Sequence, residues 1–171
     1  MIMMDKIFPK IHSEGYKFIV ISIFVTLFFL FFSKFLGAIG ILISIWMYYF
    51  FRDPERVSIN DENYLVSPAD GLITQVTEVD GPRELQLENK KFKRVSIFMN
   101  IFDCHVNRIP CSGKINDIFY MSGKFLNASL DKASEDNERN YIKIISNKGE
   151  EIIIVQIAGL LARRIVCECH K

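Results

Sequence analysis

The apolar positions of this chain fall into two regimes that meet near residue 52. From Phe18 to Ser33 the sequence reads FIVISIFVTLFFLFFS, and after Lys34 it resumes as FLGAIGILISIWMYYFF to Phe51. These 34 positions carry one charge, that of Lys34. A single helix of this length would run about 50 Å at 1.5 Å per residue, against a bilayer hydrocarbon core of roughly 30 Å. Split at Lys34, each half falls a little short of a full span, so the pattern predicts a helical hairpin, fully inserted or lying deep in one leaflet. Lys6, Lys10 and Lys17 precede the hairpin, and Arg52 and Arg56 come after it. Cationic flanks at both ends suit a hairpin whose two ends lie in the cytoplasm. The apolar run is too long for a cleavable signal peptide, and it leads into no small-residue cleavage pattern.

Beyond Arg52 the period changes. RDPERVSINDEN is polar and rich in turn formers and reads as a linker over 52–63. The chain after residue 63 alternates with a period of two and is β-branched, the signature of strands. Predicted strands are Leu72–Val79, Lys93–Met99, His105–Ile109, Lys114–Met121, Tyr141–Ser146 and Glu151–Ala158. Asn147 to Glu150 (NKGE) joins the last two as a hairpin turn. FLNASLDKASEDNER alone reads as a helix or a long loop. The expected fold class is α+β: a mostly antiparallel β domain over 64–171, preceded by the hydrophobic helical hairpin within 1–51.

Composition adds exclusions. Lys and Arg number 21 against 20 Asp and Glu, which gives no basic excess for nucleic acid and no acidic tail. The four cysteines form no disulfide framework, and a cytoplasmic domain would keep them reduced. The final CECH (Cys167 to His170) lacks the two-residue spacer and the second pair of a zinc knuckle, so no metal site is expected.

Three places carry candidate chemistry. Val66-Ser-Pro-Ala-Asp-Gly71 sets Asp70 in a tight turn, and Asp-Gly is also ordinary turn chemistry. His105, in NIFDCHVNRIPCSGK, is the only histidine within the folded region, where a lone strand histidine is usually a surface or hydrogen-bonded residue. Asp and His together suggest a base with its orienter, lacking only a nucleophile. Asn137–Asn140 (NERN) is a polar cluster, or simply a solvated face.

Six pieces in order carry a family resemblance: the apolar N-terminal segment, YFFRDPER, SPADG, VSIFMNIFDCHVNRIP, GKFLNASLDKASEDNER and VQIAGLLARRI. Together they cover nearly everything from Ile11 to Cys167, and the chain resembles phosphatidylserine decarboxylase proenzymes of the short form. The resemblance implies a proenzyme that cuts itself and turns its new N-terminus into a pyruvoyl group. That carbonyl would bind the amine of phosphatidylserine and act as electron sink while carbon dioxide leaves, giving phosphatidylethanolamine. It places Asp70 in the charge-relay role for self-cleavage. His105 matches the first histidine of a segment that often carries two, the second falling at Arg108. Two proton transfers stay open to His105, base in processing or acid toward the decarboxylated carbanion. The family's NER residues fall near the active site without a defined role. A phospholipid substrate, a membrane location with the β domain on the cytoplasmic side, and a homodimer are implied by the same resemblance.

One family feature is missing from these residues. The family's nucleophile is a serine after a glycine, well downstream of ARRI, and none of the nine glycines here is followed by serine. The expectation is therefore a C-terminally truncated homologue, inactive alone, or one completed by a separately encoded C-terminal fragment. From another class comes a membrane-tethered carrier, since Leu130–Ser134 (LDKAS) is similar to the turn in which lipoyl groups attach, here at Lys132. A non-catalytic membrane scaffold or binding module is the remaining alternative.

Overall fold

The computed structural model describes residues 8–59, 61–127 and 133–170. Lys6 and Lys132 lie outside the described residues, as does most of the LDKAS segment. The chain divides into two compact units. One comprises 1–58, 69–71 and 99–108; the other comprises 59–68, 72–98 and 109–171.

The first unit is built on the expected hairpin. Helix α1 spans Gly15–Phe32 and helix α2 spans Lys34–Phe50, and the break falls on Ser33. Ser33 has extended backbone, and its hydroxyl accepts from the Leu36 amide at 3.5 Å, a weak N-cap for α2. At 1.5 Å per residue the helices are about 27 and 25 Å long. Helix α1 is long and apolar enough to cross a membrane, and α2 is a shorter apolar helix. Both leave most of their large apolar side chains exposed, Phe31 by 86%.

The two helices bury only small and polar groups between them. Thr26 is 6% exposed; its hydroxyl donates to Ser22 O at 2.7 Å and meets the Ser44 hydroxyl at 3.1 Å. A Cβ at Gly40 would stand 2.7 Å from Thr26 Oγ1, and one at Gly37 would stand 2.1 Å from Leu30 Cδ2. Close approach through glycine, with a hydroxyl pair at the contact, is how helices associate where lipid removes the hydrophobic drive.

The second unit is antiparallel sheet. Strands β1 (Leu72–Asp80) and β2 (Lys91–Phe98) pair with Val76 opposite Val95, and the register slips between Ile73 and Gln75. Strands β3 (Gly113–Met121), β4 (Arg139–Ser146) and β5 (Glu151–Ile157) form a separate three-stranded sheet in the order β3-β4-β5. Ile118, Ile142 and Ile154 lie side by side across that sheet, and Ile144 is 1% exposed. The turn after β4 closes as expected: Gly149 has φ +82°, its amide donates to Ser146 O at 2.9 Å, and the Ser146 amide donates to Glu150 O at 2.9 Å. Leu85 and Leu87, from the β1–β2 connection, pack with Tyr141, Phe92 and Ile153 into a small core. Burial and a hydrogen bond to Glu84 push the Tyr141 hydroxyl up to about 12.

Two expectations differ from the structure. His105–Ile109 is not a strand. Asn100 and Asp103 take up the local backbone instead: Asp103 accepts from the Asn100 amide and Asn100 from the Phe102 amide, both at 2.8 Å. Side chains of this type compete with ladder formation and favour a turn. The NERN cluster is also no solvated face. Its described helix, α3, is the four residues Ala133–Asp136, and the residue after it is buried. Asn137 is 1% exposed and clamps two segments: its Oδ1 accepts from the Leu126 amide, and its Nδ2 donates to Leu126 O and Ala158 O, all between 2.8 and 2.9 Å.

The clamp predicts an asymmetry between isosteres. Asn137→Asp keeps the shape but aims a carboxylate at two carbonyl oxygens, so it should destabilise at least as much as Asn137→Ala, by about 2–4 kcal/mol. Denaturant unfolding of the full chain in detergent checks this; an aspartate variant as stable as the parent would contradict the clamp.

Candidate functional site

Of the candidate residues, Asp70 and His105 belong to the first unit, and His105 lies where α2 leaves its apolar stretch. Phe51 caps α2, and its ring stacks on Phe18 of α1 with centroids 5.2 Å apart. Here the incoming and outgoing chains are stitched together. The His12 amide donates to Phe51 O at 2.9 Å, and the Asp53 amide donates to Lys10 O at 2.6 Å. Arg52 then turns its guanidinium to two carbonyls, Tyr49 O at 2.6 Å and Phe102 O at 2.9 Å.

The second of those carbonyls belongs to the loop Met99–Arg108, and further contacts run the same way. Trp46 Nε1 donates to Ile101 O at 3.1 Å, and the Cys104 thiol donates to Arg52 O at 3.2 Å. Cys104 is 3% exposed, which makes it a packing residue rather than an accessible nucleophile. Arg108 pairs with Asp53 and also donates to Pro54 O at 2.8 Å. The loop is thus fastened to the end of α2 and the residues just past it at Ile101, Phe102, Cys104 and Arg108.

His105 rests inside this arrangement. Its ring stacks on Phe50 with centroids 4.2 Å apart and an angle of 26°. Its Nδ1 lies 3.1 Å from Asp103 O. A carbonyl can only accept, so this contact assigns the hydrogen of the neutral ring to Nδ1 and leaves Nε2 as the basic nitrogen. Burial lowers the pKa of His105 below its ordinary value of 6.5; the Asp103 carbonyl and carboxylate oppose the shift, and the Arg52 charge adds to it. The neutral form is therefore favoured near pH 7.

Asp70 belongs to the same unit, through the short segment Ala69–Gly71. Its carboxylate pairs with Arg56, and the two side chains are 44% and 47% exposed. No hydrogen bond or ion pair joins Asp70 to His105 among the described residues. Asn137, Glu138 and Arg139 lie in the other unit. There Arg139 stands over the Tyr141 ring at 5.7 Å and Glu138 donates its amide to Lys124 O at 3.0 Å, both structural contacts. Among the described residues no group of three His, Cys, Asp or Glu side chains is placed to hold a metal ion.

Comparison with known proteins matches the amino-acid sequence of this chain to one family. The profile described as phosphatidylserine decarboxylase covers residues 43–171. A phosphatidylserine decarboxylase proenzyme from Pelagibacter ubique is 72% identical over 169 residues, covering 99% of this chain and 79% of the relative. Proenzymes of the same name from Cereibacter sphaeroides and Rickettsia prowazekii are each 48% identical, over 99% and 98% of this chain and 73% and 72% of their own lengths. The chain belongs to the phosphatidylserine decarboxylase family.

Within this chain, sequence reasoning singles out Asp70 and His105 but not the groups that hold them. Arg52 and Arg56 are legible as the hairpin's cationic flank, Asp53 as a linker charge and Arg108 as the place of the family's second histidine, but not as the bonded groups they are in the first unit. The available signal is the order Arg-Asp-Pro-Glu-Arg directly after an apolar helix, where charges near a bilayer seldom stand unpaired. No Gly-Ser bond, from which the resemblance would derive a pyruvoyl group, lies within the 171 residues.

The environment of His105 predicts a titration. NMR of the full chain in micelles should place its pKa below the ordinary value of 6.5, and Phe50→Ala should raise it toward that value by opening the ring to water. Because the unfolded chain binds this proton more readily, the His105 contribution to stability is complete above about pH 6.5 and is lost as the pH falls through the folded value. His105→Gln should flatten that acid limb. A His105 that titrates at or above its ordinary value in the parent would contradict the assignment.

Proposed function

We propose that this chain forms the membrane-attached N-terminal part of a phosphatidylserine decarboxylase, acting in phospholipid biosynthesis. In this reading Asp70 is the relay carboxylate of proenzyme processing and His105 the proton-transfer residue. The observation that carries it is the state of His105, a neutral imidazole with Nδ1 committed to a carbonyl and Nε2 left as the base. A group of this kind takes a proton first and returns it afterwards, so the base role in processing precedes any acid role toward a carbanion. Arg56 pairs with the Asp70 carboxylate and so ties it to the chain just past the hairpin.

The 171 residues do not suffice for turnover in this reading. Decarboxylation leaves an electron pair on carbon, and that pair needs a carbonyl sink. Neither Asp70 nor His105 offers one, and Lys side chains present amines. The missing Gly-Ser bond must come from sequence supplied in addition. The β1–β2 sheet supports such completion: Ile73, Val76 and Val95 are 49–60% exposed, an apolar surface suited to further packing. The β5 edge, bonded to β4 on one side, is a second such surface. Basic residues on both flanks of the hairpin support a cytoplasmic position for the β unit.

The test is release of labelled carbon dioxide from phosphatidylserine in vesicles. The chain alone should give none. Addition of the Gly-Ser-bearing C-terminal part of a close relative should restore it, and Asp70→Asn or His105→Gln should then lower processing by about 10²-fold or more. Turnover by the chain alone, or full processing by both variants, would overturn this reading.

A further inference from the structure

The loop Met99–Arg108 holds its backbone and one thiol against α2 but leaves two large apolar side chains in the open. Phe102 is 69% exposed and Ile101 39%. A tight turn with an Asn and an Asp tying its amides has no need of two such residues in sequence at its tip. Their position along α2 is set by two hydrogen bonds, since Trp46 holds Ile101 O and Arg52 holds Phe102 O. Trp46 lies four residues, about 6 Å of helix, before the end of α2 at Phe50, and the Arg52 guanidinium reaches back to Tyr49 O. Ile101 and Phe102 are therefore tied alongside the last turns of the apolar helix, not beyond its polar end.

The neighbouring surface of α2 is apolar and open as well: Leu42 is 67% exposed, Ile45 50% and Tyr49 40%. Trp46, Tyr48 and Tyr49 form the kind of aromatic group that collects at the boundary between acyl chains and headgroups. Arg52 and Arg108 stand just past it, where cations meet lipid phosphates. Exposed Ile101 and Phe102 continue the hairpin's apolar surface at the level of this belt.

We propose that Ile101 and Phe102 form a second membrane contact, a shallow wedge at the headgroup–acyl boundary that holds the His105 loop at the depth of a phospholipid headgroup. The occupant is a lipid surface, because the patch is continuous with the hairpin and graded from apolar to aromatic to cationic along one helix. A substrate headgroup would then meet His105 without leaving the bilayer. The wedge rests on the hairpin lying in the membrane, so its test must report on both.

Nitroxide labels supply that test. The full chain, with Cys111, Cys167 and Cys169 replaced by serine and buried Cys104 kept, is placed in vesicles of phosphatidylcholine and phosphatidylglycerol. Labels are attached to Phe102→Cys, to Ile101→Cys as a second probe, to Phe31→Cys on the hairpin and to Glu78→Cys on the sheet. The same background without an added cysteine serves as the labelling control. Power saturation with oxygen and with a water-soluble nickel chelate gives the depth of each. The expected oxygen-to-nickel accessibility ratio at 101 and 102 is several-fold above that at 78 and below that at 31. Ratios at 101 and 102 equal to that at 78, with 31 still lipid-like, would overturn the wedge alone. An aqueous label at 31 would overturn the membrane reading together with it. Labels at 101 and 102 that neither reagent reaches would place them against protein and overturn the wedge.

Discussion

A guanidinium at the end of an apolar helix has few acceptable partners. Arg52 lies just past the seventeen helical residues Lys34–Phe50, whose one charge is at the far end, and its guanidinium carries five donors and no acceptor. It meets this constraint by donating to Tyr49 O, a last-turn carbonyl that also accepts from the Arg52 amide at 3.4 Å, and to Phe102 O across the loop. Its own carbonyl accepts from Cys104. One residue thus terminates the helix and fastens the loop that carries His105. The backbone bridge between Ile11 and Arg52 ties the start of the hairpin to the same point.

The other charges depend on that fastening. With the loop held at Phe102 and Cys104, Arg108 comes within reach of Asp53, and the chain beyond Pro54 brings Arg56 to Asp70. These side chains are between a third and a half exposed, so each pair taken singly contributes roughly 0–1 kcal/mol. Their importance is geometric. Asp53 and Arg108 fix the far end of the loop, while Phe50 and the Asp103 carbonyl hold the imidazole from two sides. A proton-transfer residue held in this way keeps one tautomer and one orientation, which is what positioned acid–base chemistry requires.

The parts of this structure that composition and period encode are legible in the sequence. The hairpin comes from two apolar runs divided at Lys34, each a little short of a bilayer's thickness, and the observed break falls one residue earlier, at Ser33. Five strands come from alternation and β-branched content, and the Asn147–Glu150 turn from its glycine. The segments that read wrongly share one cause, which is that polar residues find partners away from their own stretch of chain. Asn137 reads as solvated because its partners at Leu126 and Ala158 carry no polar side chain to announce them. Arg52 and Arg56 read only as the hairpin's cationic flank because Phe102 and Asp70 stand 50 and 14 residues away. His105–Ile109 has strand-like composition, but Asn100 and Asp103 have already turned the chain. Asp70 and His105 are visible as residue types suited to the chemistry; their settings are not.

Arg52 as the fastener of the His105 loop is the central claim, and amide hydrogen exchange measures it directly. Arg52→Met keeps the aliphatic stem and removes every donor. In the full chain in lipid nanodiscs, the amides of residues 100–106 should then exchange about 10-fold faster or more, as expected for losing charge-assisted hydrogen bonds, while β3, β4 and β5 keep their protection. Unchanged exchange across 100–106 in that variant would mean that the loop is held by something else, and would contradict the role given to Arg52.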